Sequence, residues 1–189
     1  MTITPTRIAQ RGFTLIELLI VVIILAILAA IVIPQFSSST SDAREGALDA
    51  NLSTMRSAIE MYKVQHKNFY PGNAATGVAA TCTTKGATAA GSQAVIDQLT
   101  MASDANGNTC SIADPINYSF GPYLRGAIPA EPIYNKGSVA AEIEITATGA
   151  KLDPATSVVT GGWAYDSKSG QLIINSGAPD SKAKKYSSH

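Results

Sequence analysis

Between Arg11 and Phe36 the chain reads RGFTLIELLIVVIILAILAAIVIPQF, and the one carboxylate in that stretch is Glu17. An acid in a lipid-spanning helix costs about 2.5–3.5 kcal/mol at the midplane and less near an end. Two arrangements would offset that cost: Glu17 reaches interfacial water, or it pairs with a cation. No Lys or Arg lies between Phe13 and Ile33, so the cation would have to come from a partner. A free α-amine at Phe13 would serve, which requires the chain to be cut after Gly12, a residue sterically permissive at such a junction.

The other chemistry-bearing residues are few. Cys82 and Cys110 are the only cysteines and allow one disulfide. His66 and His189 are too sparse for a triad or a metal cluster, and His66 is expected solvated or capping at a helix end. DANGNT, from Asp104 to Thr109, alternates oxygen ligands as calcium loops do. An EF-hand needs Gly at loop position six and Glu at twelve, where this chain has Thr109 and Pro115, so we read a plain turn. Nucleophile elbow, HExxH, Walker loop and CxxC patterns do not occur. Neither enzyme activity nor a metal or cofactor is expected.

The elements that would position these residues follow from patterning. Phe13 to Ile33 has only Thr14 and Glu17 as polar residues, and at 1.5 Å per residue it spans roughly 30 Å, a hydrocarbon core. It is longer than a cleavable signal's apolar core, and no A-x-A-like site follows it. Arg7 and Arg11 precede the run and the next cation is Arg44, which keeps the N-terminus cytoplasmic and exports the remainder. In an oxidising compartment a Cys82–Cys110 bridge is expected over two buried thiols. Pro34 disfavours helix at Ile33. Asp42 and Glu45 stand like a capping box that could restart one. Leu48, Leu52, Met55, Ile59 and Tyr62 then recur at four and three, the face of a helix that packs on a sheet.

Beyond KNFYPG, a turn, residues 72–92 are small and polar and read as a loop. SQAVIDQLT suggests a short helix capped by Ser92. VAAEIEITA alternates as a strand, and GWAYD and QLIIN flank SKSG as a hairpin. Trp163 is expected in the core, and the tail DSKAKKYSSH is expected to fray. Fourteen basic against fourteen acidic residues leave zero net charge, which argues against nucleic acid as a partner.

The stretch Arg11–Phe36 resembles the prepilin signature of type IV pilins and type II secretion pseudopilins. The matching pieces are a basic leader ending in Gly12, a new N-terminal Phe13, Glu17 and Pro34. That resemblance implies cleavage between Gly12 and Phe13 by a prepilin peptidase and N-methylation of Phe13. It also implies Glu17 pairing with the N-terminal amine of a neighbouring subunit, and one long helix kinked at Pro34. MYKVQHKNFYPG resembles the end of that helix in pseudopilins, and YSFGPYLRGAIPAEP resembles a stretch common in them. The major pseudopilins carry an acidic calcium loop near the C-terminus. GGWAYDSKSGQLIINSG has only Asp166 as an acid, so that site is not carried over.

The expectation is an α+β, pilin-like fold: a leader (1–12), a long helix (13–66, with 13–33 transmembrane) and an exported head (67–189) on a small antiparallel sheet. The expected role is a homo-oligomeric filament subunit of the bacterial inner membrane, closest to major pseudopilins. Prepilin peptidase, an inner-membrane assembly platform and the lipid bilayer are its expected partners. A type IV pilin and a monomeric membrane-tethered binding module are the alternatives.

Overall fold

The computed structural model describes residues 13–76, 79–154 and 161–189. The leader, including Gly12, lies outside the described residues. Helix α1 spans Leu15–Gln65. By contacts the chain divides after Ser41 into two units.

In the first unit, Leu15–Ile33 is a segment of mean hydropathy 3.4, long and apolar enough to cross a membrane, and none of it is buried. The helix continues through Pro34 and through Asp42–Glu45. Helix therefore does not restart at Asp42, because it never stops. The hydroxyls of Ser39 and Thr40 donate back to the carbonyls of Gln35 and Phe36 at 3.0 and 2.8 Å, a side-chain alternative that bends helices.

The second unit, Asp42–His189, holds the core. Leu48, Leu52, Met55, Ile59 and Tyr62 are all buried in one cluster with Val95, Leu99, Ile143, Trp163, Tyr165 and Ile174. Burying side chains of this kind is worth about 1.5–3 kcal/mol each. Trp163 is fully buried and its indole donates to the Pro129 carbonyl at 2.9 Å. Helix α2 (Ser92–Thr100) lays Val95 and Leu99 on this cluster. Its cap is Gly91, at φ 140, with no side-chain cap bond, so Ser92 is the first helical residue and not the cap.

Strands β1 (Ala102–Ser103) and β2 (Thr109–Cys110) form a short antiparallel pair. Strands β3 (Ile143–Thr146), β4 (Trp163–Asp166) and β5 (Leu172–Ile174) form a second sheet. The β4–β5 hairpin is antiparallel, with SKSG in its turn, whereas β3 pairs parallel to β4. The α+β class holds with a mixed sheet. A parallel neighbour needs a long connection, and sixteen residues separate Thr146 from Trp163 in the chain. The front of the expected VAAEIEITA strand is instead a 3-10 turn at Ala140–Glu142.

The tail does not fray. Ser181 donates to Glu45 from both its N–H, at 2.8 Å, and its hydroxyl, at 2.7 Å. The His189 ring bridges Asp49 at 2.7 Å and Asp180 at 3.1 Å. Arg56 donates to the carbonyls of Leu172 and His189. The basic tail lies on a carboxylate-bearing face of α1, which composition alone did not reveal.

Candidate assembly site

Thr14 caps α1 and Glu17 occupies its third helical position. The Glu17 N–H donates to Thr14 Oγ1 at 3.3 Å, while the Thr14 N–H and hydroxyl each donate to Glu17 Oε2 at 2.8 Å. This is a reciprocal capping box, satisfying helix-start donors that lipid would leave unpaired. Its signal was in the sequence as T-L-I-E at the head of the apolar run, but the reading placed such a box at Asp42 and Glu45 instead. Glu45 is buried and serves the tail.

Both bonds to the Glu17 carboxylate fall on Oε2. Oε1 takes none among the described residues, so the same group can hold its own helix start and still accept from a cation. Phe13, four residues upstream of Glu17, is nearly fully exposed. The structure therefore brings Phe13, Thr14 and Glu17 together at one end of the apolar segment.

The other residues singled out from sequence have structural partners. Cys82 and Cys110 are joined, with a Cα–Cα distance of 6.0 Å. Asp104 accepts from the N–H groups of Asn106 and Asn108 and from the Asn108 amide, which closes the DANGNT turn. His66 is buried rather than solvated: its ring stacks on Tyr62 at 3.7 Å and bonds the Tyr62 carbonyl and Ser103 Oγ. Burial holds its pKa below the ordinary 6.5. Ser103 lies 37 residues along the chain, so no local pattern announces the contact.

Asp166 ends β4, fully buried. Burial pushes its carboxyl up, but six hydrogen bonds outweigh that and hold it well below its ordinary value. Thr146, Thr148 and Gly149 supply four donors to Oδ2, and the Lys168 and Ser169 N–H groups bond Oδ1.

A small α+β head and an apolar helix start carrying one capped carboxylate define the pilin-like class. Residues 7–33 match the prokaryotic N-terminal methylation motif. The chain is 42% identical over 57 residues (30% of its length, 40% of the relative's) to a type II secretion system core protein G of Pseudomonas aeruginosa. It is 27% identical over 165 residues, 84% of this chain and 88% of the relative, to core protein G of Pectobacterium carotovorum. It is 46% identical over 57 residues, 30% of this chain and 49% of the relative, to a type IV narrow pilus major component of Thermus thermophilus. The chain thus spans less than half the length of two of these three relatives. No solved structure matches it significantly. The motif and these relatives support placing the chain with the type IV pilins and type II secretion pseudopilins.

Proposed function

We propose that this protein is the structural subunit of a membrane-anchored helical filament, of the type II secretion pseudopilin kind. A prepilin peptidase cuts between Gly12 and Phe13, and the new Phe13 amine is methylated. The apolar segment 13–33 anchors the subunit in the inner membrane, the leader faces the cytoplasm, and the head, 67–189, is exported. An inner-membrane assembly platform then stacks subunits. Pro34, which offers the Ala30 carbonyl no N–H, is where the long helix bends on packing.

The observation that carries this reading is the capped Glu17 at the start of an unburied apolar segment, within the matched methylation motif. In the filament the open Oε1 accepts from the α-amine of the adjacent copy. A pairing in lipid is strong because water does not compete for either charge. The pseudopilin reading is favoured over a pilus by the match to core protein G of P. carotovorum, which runs through the head. The pilus component of T. thermophilus matches over a short stretch only.

Glu17→Ala tests the reading. Export and membrane insertion should persist while filaments, counted by electron microscopy of sheared cells, fall by at least about tenfold, the effect of losing about 1.4 kcal/mol per contact. Normal filaments from Glu17→Ala would overturn the role given to Glu17, and the absence of filaments from the unmutated chain would favour a tethered monomeric head.

A further inference from the structure

Two features of the head remain outside the account above, and both lie in the second unit. One is a pocket of about 230 Å³ at the C-terminal end of α1, with Tyr62, Phe69, Tyr70, Ala74 and Ala105 in its wall and Lys67 at its side. Several of its polar wall groups are already paired. Gln98 binds the backbones of Gly72, Asn73 and Gly107, His66 binds Tyr62 and Ser103, and Asn73 binds Tyr70 and Ser167. What the pocket offers an occupant is therefore chiefly apolar surface. An apolar cavity of about 150 Å³ already takes up benzene, so this one has room for a branched aliphatic side chain. Lys67 and Asn68, at φ 53 and 69, fix the left-handed turn that sets Phe69 at the surface, 61% exposed.

The other feature is the turn 111–117, SIADPIN. It is held at both ends: Cys110 by the disulfide, Ser111 N–H on the Thr84 carbonyl at 3.0 Å, and Tyr118 by its N–H on Asp114 and its hydroxyl on Ala80. Asp114 also accepts from the Ile116 N–H and the Asn117 amide. This fixed turn leaves Ile112 60% and Ile116 89% exposed. Neither isoleucine belongs to the wall of the pocket.

We propose that Ile116 of one copy seats in the α1-end pocket of a second copy, with Asp114 of the first facing Lys67 of the second. The two surfaces are different, so a head-to-tail contact between them repeats from copy to copy along an open assembly, as the filament reading requires. The charges are complementary. Among the described residues the Lys67 ammonium uses one donor, on Asn106 at 2.7 Å, of the three it has. A contact of one isoleucine and a pocket rim lies far below the roughly 1,200 Å² of a stable complex. It forms only where neighbouring subunits are held at high effective concentration. The contact rests on the filament reading, which supplies that concentration.

The test uses the full-length chain, in cells carrying its processing and assembly machinery, with a benzophenone amino acid placed at Phe69. A second strain carries the same probe at Val21, in the apolar segment. The expected result is a covalent dimer from the Phe69 probe, with the adduct mapped by mass spectrometry to residues 111–117. Ile116→Asp should abolish it. Lys67→Glu should lower its yield about fivefold, and adding Asp114→Lys in the same chain should restore it. If Val21 cross-links into oligomers while Phe69 gives no dimer, or one mapped elsewhere, the contact is overturned and the filament reading stands. If neither probe cross-links, both fail.

Discussion

Asp166 shows how one buried carboxylate organises a fold from the residue scale. Its six donors come from the end of β3, the residues after it and the β4–β5 turn, so it ties three segments that share no sequence periodicity. Asp166→Ala would leave those donors unpaired and should cost about 3–5 kcal/mol in denaturant unfolding. His66 and Asp166 are two of the groups that set the pH dependence. His66 has a lowered pKa, so the unfolded chain binds its proton more readily, and its share of stability is complete above 6.5 and falls on acidification below that. Asp166 is lowered too; its share is present above 3.8 and is lost as the pH drops through its depressed folded value. Unfolding free energy measured from pH 8 to pH 3 should therefore fall in two steps, and Asp166→Ala should shrink the acidic one, to which Glu45, Asp114 and Asp180, also lowered, contribute the rest. The sequence marked Asp166 only as a lone acid, because its partners are mostly backbone N–H groups that composition does not display.

At the scale of elements, periodicity made α1 legible from Leu48 to Tyr62, and alternation gave β3, since both are local patterns with one buried face. The parallel β3–β4 pairing was not legible, because register between distant segments leaves no mark on either. Nor was the docked tail, whose partners Glu45 and Asp49 lie about 140 residues upstream. Glu45→Ala should release it, seen as a several-fold faster tryptic cut at Lys182, Lys184 or Lys185 in the native protein. The Cys82–Cys110 bridge closes a separation of 28 residues, worth about 3–4 kcal/mol by loop entropy. Cys82→Ala should lower stability by that much and loosen first the small cluster of Ala102, Cys110 and Tyr118, read as faster amide exchange there.

For the whole molecule, the two units follow different solvents. Asp42–His189 closes a core against water, while Leu15–Ile33 leaves its apolar side chains uncovered. Such a surface is stable only in lipid or against like helices. That much was readable from sequence, and Glu17 drew notice there because a lone acid in an apolar run is costly wherever it sits. The capping box by which Thr14 secures that acid is also written there, as T-L-I-E, but is masked by the apolar residues around it. The account stands on a processed N-terminus next to Glu17, and the direct measurement is the intact mass of the chain isolated from membranes of cells with an active prepilin peptidase. It predicts a species that begins at Phe13 and carries one added methyl group. A chain that keeps Met1–Gly12 under those conditions would contradict it.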